Sequence, residues 1–181
     1  MMARIPLPTR ETLTDEALQQ RWDRLAERGP VLNVFRLFMA NPGIDLNAGR
    51  IWQASGLSPR EREIVILRCA FLKRSTYEWH QHVRIARDAG LTDAEINAIR
   101  EWRDSSLFSE PERALLAYAD ELAANLRPGE EPFAAVARGR SPGEVLGVTW
   151  LITLYFQLAH VMAALDLETE GPFVGWEVGA R

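Results

Sequence analysis

Cysteine is nearly absent: Cys69 is the only one in 181 residues. The chain therefore has no internal disulfide, no Cys-x-x-Cys redox pair and no all-thiolate metal cage within one copy. Histidine is scarce as well, with His80, His82 and His160 making up the three. His80 and His82 stand two apart, a poor spacing for joint chelation from one helix, and no Asp/Glu/His cluster has zinc-ligand spacing, so no metal is expected. No Lys/Arg block occurs and the net charge is −4, which argues against nucleic acid or an anionic membrane as the main partner. Gly-rich phosphate loops, a nucleophile elbow, repeats and low-complexity segments are missing, so no nicotinamide, flavin or nucleotide cofactor is expected. The opening residues Met1 to Pro8 contain no apolar leader core, which makes the cytoplasm the expected compartment.

What the chain does have is apolar content, 47% of residues, enough for a real core. Its punctuation is helical throughout. Thr14-Asp15-Glu16 opens a helix to about Glu27, stopped by Gly29-Pro30. A short apolar helix follows and ends at Asn41-Pro42-Gly43, then another runs from about Ile44 to Ala54. Ser58-Pro59-Arg60-Glu61 is a capping box that opens a helix to about Leu72. Ser75 or Thr76 caps the next one, which stops at Gly90. Thr92 to Glu95 repeats the box and predicts a helix to about Arg100, and Ser109 opens one to about Leu126. Pro132 to about Arg138 is short, and Ser141 starts a long last helix. No stretch alternates with period two, so the fold class is all-α. Short linkers make residues 1–181 a single domain with an extended arm over 1–13.

From Val145 to Leu165 no residue is charged, a length sufficient to cross a bilayer. Thr149, Thr153, Gln157 and His160 nevertheless fall on one helical stripe, and no basic anchor flanks the run. A core helix with its polar stripe on a cavity or subunit contact fits better than a membrane span. The tail from Gly171, with Phe173, Val174, Trp176 and Val178, is too apolar for a free end and is expected to pack on the body or on a neighbour.

Chemistry concentrates in the hairpin from Glu61 to Leu91. Glu78 and His82 are four apart, share a helix face and border its apolar side. Partial desolvation there raises a carboxylic acid's pKa and lowers that of an imidazole, while their attraction opposes both shifts. Such a pair serves as general acid and base, or simply ties two helices together. Glu63 also looks inward, beside Leu67 and Ala70, and an inward carboxylate is expensive unless paired or used. Its plain alternative is a salt bridge to Arg68 or another arginine. Cys69 reads as a small core hydrophobe.

Ser58-Pro59-Arg60-Glu61-Arg62-Glu63, Leu67-Arg68-Cys69-Ala70, Tyr77-Glu78-Trp79-His80-Gln81-His82 and Ala89-Gly90-Leu91-Thr92-Asp93-Ala94-Glu95-Ile96 resemble the carboxymuconolactone decarboxylase family, which includes the AhpD-like alkylhydroperoxidases. The resemblance covers about residues 55 to 100, with a weaker echo at Tyr155-Phe156-Gln157-Leu158-Ala159-His160. The peroxidase branch carries Glu and then Cys-x-x-Cys-x-x-x-His. In this chain that frame falls on Glu63, Ser75, Glu78 and His82, so both sulfurs are replaced and dithiol peroxidase chemistry is lost.

The resemblance thus implies an AhpD-like helical bundle of the branch lacking the cysteine pair. It implies a trimer or hexamer, and cofactor-free decarboxylation or related proton transfer on a small organic acid or lactone in aromatic compound catabolism. In that reading Glu78 and His82 move protons, Glu63 orients His82, and Arg68, Arg84, Tyr77 and His160 bind substrate. Two alternatives stay open: peroxidase-related redox chemistry through Cys69 with an external thiol, and a non-catalytic oligomeric binding protein.

Overall fold

The computed structural model describes residues 3–44 and 48–179, and among these every regular element is helical. In chain order they are α1 (Glu16–Ala26), α2 (Asn33–Met39), α3 (Ala48–Ala54), α4 (Pro59–Leu72), α5 (Thr76–Asp88), α6 (Asp93–Ala98), α7 (Glu110–Ala124), α8 (Glu130–Ala137) and α9 (Pro142–Ala164). A single 3₁₀ turn, Trp102–Asp104, lies between α6 and α7. The all-α expectation holds. The expected start of the third helix at Ile44 leads into residues 45–47, outside the described residues.

Helix α4 is the axis of the molecule. Its residues Glu63 to Ala70 are all buried, eight in succession, so the helix is covered on every side rather than along one stripe. Toward one flank Val65 and Ile66 pack with Leu115, Val148, Leu151 and Ile152 from α7 and α9. Toward the other, Ile64 and Leu67 pack with Trp79, Val83, Ile96 and Ile99. Each fully buried aliphatic side chain contributes roughly 1.5–3 kcal/mol, which makes this double-sided burial the main source of stability. The apolar tail closes the second flank: Trp79 Nε1 donates to the Gly175 carbonyl at 2.8 Å, and Asn97 exchanges two hydrogen bonds with the Val178 backbone.

Helix starts follow their capping chemistry. Reciprocal boxes form at Ser58/Glu61, Thr92/Glu95 and Ser141/Glu144, each satisfying amide donors that the first helical turn leaves free. Glu95 also accepts from Arg60 at 2.6 Å, which with the threonine cap drives its carboxyl down to about 2. Two boundaries differ from expectation. Helix α8 begins at Glu130, two residues before Pro132, because proline in a first turn sacrifices only an unneeded amide. Helix α6 ends at Ala98 instead of near Arg100, where the chain turns into the 3₁₀ segment.

Helix α9 is long and apolar enough to cross a membrane, and half of its apolar window is buried against the rest of the chain. Its approach to α3 is set by Gly147: a Cβ there would lie 2.0 Å from the Ala54 carbonyl oxygen, so only glycine permits the contact. The polar stripe does not line a cavity. Thr153, Gln157 and His160 are exposed, beside exposed Leu146 and Trp150, while Thr149 is half-buried and bonds the Tyr118 hydroxyl.

Candidate active site

Helices α4 and α5 form an antiparallel hairpin joined by Lys73, Arg74 and Ser75. Arg74 occupies the left-handed region (φ 55°), which sharpens the reversal. The Ser75 hydroxyl then caps α5 by accepting from the Glu78 amide. This turn fixes which residues of α5 face Glu63, the first residue of the buried stretch of α4.

The carboxylate that His82 meets is Glu63. His82 Nδ1 stands 2.7 Å from Glu63 Oε2, and Arg62 Nε donates to the other oxygen at 2.9 Å. Glu63 is wholly inaccessible and His82 nearly so. Burial pushes the Glu63 carboxyl up, but the His82 hydrogen bond and charge, with Arg62 beside them, outweigh it and hold the group below its ordinary value. Ionised Glu63 therefore fixes the imidazole's orientation and leaves Nε2 as its only uncommitted nitrogen. The Arg62 guanidinium is also stacked 4.2 Å from the centre of the Trp52 ring.

Glu78 does not hydrogen-bond to His82, contrary to the pair expected from their spacing. Both of its carboxyl oxygens are buried with no partner among the described residues. Burial pushes this carboxyl up to about 8, opposed only by the Ser75 hydroxyl. At neutral pH Glu78 is an uncharged acid with one proton to give. Two carboxyls on facing helices are thus driven in opposite directions by their surroundings, which separates an acid from an anion.

Glu78 and His82 line a cavity of about 130 Å³ walled by Trp52, Tyr77, Tyr155 and aliphatic side chains of α2, α5 and α9. The His82 ring meets Tyr155 edge-on at 5.3 Å and Trp52 at 6.4 Å. Arg84 and Gln81 also line it, and Arg84 is exposed with no hydrogen bond or ion pair to another described residue. An unpaired guanidinium at the rim suits a substrate carboxylate.

Three of the expected substrate-binding residues are placed otherwise. Arg68 is buried away from the cavity, donating to Asp120 at 2.6 Å and to the carbonyls of Ile99 and Arg100. Through Nε and NH1 its guanidinium ties α4 to α7 and to the segment after α6, a role within the fold. His160 is on the outer side of α9, with Nδ1 2.5 Å from the Phe156 carbonyl. Tyr77 contributes a wall, but its hydroxyl is spent: it donates to Glu170 at 2.7 Å and accepts from the Val34 amide at 3.0 Å. His80 accepts weakly from the Val174 amide on the tail. Cys69 is fully buried, and burial with the nearby Glu78 charge pushes its thiol well above the ordinary value. Neither Trp52 nor Tyr155 is among the site residues expected from the sequence; their meeting near the cavity depends on contacts between α3 and α9 that no local spacing encodes.

The fold and hairpin define an AhpD-like helical chain with a buried acid–imidazole centre. The sequence profile of the carboxymuconolactone decarboxylase family matches residues 44–121, which include α4 and α5, so this stretch of the chain is similar to that family, which also contains the AhpD-like proteins. No functionally curated protein matches it. Among solved structures, an uncharacterized peroxidase-related protein from Silicibacter sp. TM1040 is 16% identical over 96% of this chain and 94% of its own, with a TM-score of 0.77. An uncharacterized peroxidase-related protein with an AhpD core, from Ralstonia eutropha JMP134, is 19% identical over 97% of both chains, TM-score 0.75. The debrominase Bmp8, solved with 2,3,4-tribromopyrrole, is 18% identical over 93% of this chain and 91% of its own, TM-score 0.71. These likenesses concern the fold.

Proposed function

We propose that the cavity carries out cofactor-free proton transfer on a small unsaturated organic acid or lactone acid, of the decarboxylase type. The observation that carries this reading is the buried Glu78 carboxyl with neither oxygen partnered, facing the same small cavity as a histidine held by an ionised carboxylate. A buried polar group is costly to leave unsatisfied, and a substrate atom is the natural partner for it. In a decarboxylation, the substrate's C–CO2 bond breaks, CO2 leaves, and the electron pair passes into the conjugated carbonyl as a dienolate. Glu78 delivers its proton to carbon and becomes a carboxylate, which His82 and solvent reprotonate. A general acid so placed contributes about 10²–10⁴-fold. Arg84 holds a second anionic group of the substrate at the rim.

Family likeness supports the class of reaction, and the missing cysteine pair supports proton chemistry over redox. The thiol route needs an accessible, ionisable sulfur, and Cys69 is neither. The reading includes assembly with further copies of the chain, favoured by the uncharged outer side of α9, where Leu146 and Trp150 are 65% and 59% exposed.

The test is a screen of unsaturated lactone acids and β-keto acids for CO2 release and loss of ultraviolet absorbance, using wild type and Glu78→Gln. Turnover by wild type that falls at least about 100-fold in the folded variant supports the reading. Equal turnover by both proteins overturns it.

A further inference from the structure

A second buried polar group at the cavity is incompletely used. Tyr155 is 4% exposed. Its hydroxyl oxygen accepts from Trp52 Nε1 at 3.1 Å, but among the described residues no group accepts its own proton. Neither Glu63 nor Glu78 does so, although both lie close enough to act on it electrostatically. The ring is fixed on three sides: it stands edge-on to His82 at 5.3 Å, it belongs to the core of α9, and Trp52 holds its oxygen from α3. A buried O–H without an acceptor is unusual, and this one belongs to a side chain that lines the cavity beside Glu78 and His82.

We infer that the Tyr155 hydroxyl is an oxyanion donor, positioned by the Trp52 N–H, for substrates whose carbonyl is conjugated to the carbon that Glu78 protonates. The inference rests on the proton-transfer reading and narrows its substrate class to acids that pass through a planar enolate. The Trp52 hydrogen bond matters in a specific way. By occupying one lone pair, it turns the phenol's proton away from Trp52 and leaves the hydroxyl to act as a donor. Burial and the nearby carboxylates push the Tyr155 phenol well above its ordinary value despite that hydrogen bond, so the proton stays on oxygen. A fixed donor in a water-poor site acts on charge as it develops, without reorganisation. Aromatic walls from Trp52, Tyr77 and Tyr155 suit a flat, unsaturated skeleton.

Two probes separate the hydrogen bond from the packing. 4-Nitrophenolate presents an oxyanion on a flat ring, and nitrobenzene presents the ring without the phenolate oxygen. Binding of each is titrated against wild type, Tyr155→Phe, Trp52→Phe and Glu78→Gln. The expected result is that Tyr155→Phe weakens 4-nitrophenolate by about 10- to 100-fold, as for loss of a hydrogen bond to a charged group, and leaves nitrobenzene unchanged. Trp52→Phe gives a smaller loss with the same selectivity, the mark of a positioning residue. Equal phenolate affinity in Tyr155→Phe and wild type overturns the inference. If Glu78→Gln alone loses the phenolate, the inference falls and the proton-transfer reading stands. If wild type binds neither probe, the inference falls. Undiminished turnover in Glu78→Gln would sink the proton-transfer reading while leaving the Tyr155 binding result intact.

Discussion

Replacing Glu78 with glutamine should stabilise the protein at alkaline pH while disabling the site. The magnitude follows from burial. The Glu78 carboxyl moves from an ordinary 4.5 to about 8, and each unit of such a shift is worth 1.36 kcal/mol, so the full effect is on the order of 5 kcal/mol. Below about pH 4.5 folded and unfolded chains both hold the proton and the group contributes no pH dependence. Between there and about pH 8 the unfolded chain releases it while the folded chain retains it, so stability falls as pH rises. Above about pH 8 the loss is complete. Glutamine is a neutral mimic of the protonated acid and escapes this loss. Urea unfolding of both proteins from pH 4.5 to 8.5 isolates the group, because every other titration cancels in the difference. Relaxation and water entry reduce the figure, so the variant should gain roughly 2–5 kcal/mol on wild type across that range. A difference that stays constant within about 0.5 kcal/mol would refute the assignment of Glu78 as a buried neutral acid.

Other substitutions test the surrounding framework. Glu63→Gln removes the buried carboxylate that bonds His82 and pairs with Arg62 and should cost about 3–5 kcal/mol in chemical denaturation; a cost under about 1 kcal/mol would contradict an ionised Glu63. Arg68→Met removes the partner of Asp120 Oδ1 and of two carbonyls, while Trp102 and Arg103 still hold Asp120 Oδ2, so it should lower stability by about 2–4 kcal/mol without altering ligand affinity at the cavity; a selective loss of ligand would restore it as a binding residue. Gly147→Ala drives a Cβ into the Ala54 backbone and should destabilise by about 3 kcal/mol or more, read as an earlier urea midpoint. Cys69 should resist a thiol reagent until the protein unfolds; rapid labelling of native protein would reopen the redox alternative.

Much of the fold was legible because helix starts are local chemistry. Ser58, Thr92 and Ser141 each announce a box with a glutamate three residues on, and each box forms. Ends were harder, since α6 yields to a 3₁₀ turn held by tertiary contacts around Trp102. For the site, residue type and helical periodicity pointed Glu63, Glu78 and His82 inward, and all three are buried. Periodicity also paired Glu78 with His82. The structure pairs His82 with Glu63, nineteen positions earlier, because the tight turn at Arg74 lays α4 alongside α5. Arg68 and His160 show the limit of reading by residue type: a buried arginine satisfied by Asp120, and a histidine turned out with the polar stripe of α9. Nothing in local spacing brings Trp52 onto Tyr155, since their hydrogen bond depends on Gly147 letting α3 and α9 close together.

The central claim is that Glu78 is protonated at neutral pH inside the cavity. Its most direct test is an NMR pH titration of protein labelled with 13C at the glutamate carboxyl carbons, with Glu78→Gln supplying the assignment. One carboxyl titrating near pH 8, and absent from the variant, is the expected result. If every glutamate titrates near the ordinary value of about 4.3, Glu78 is charged at neutrality, and the acid proposed for this site does not exist.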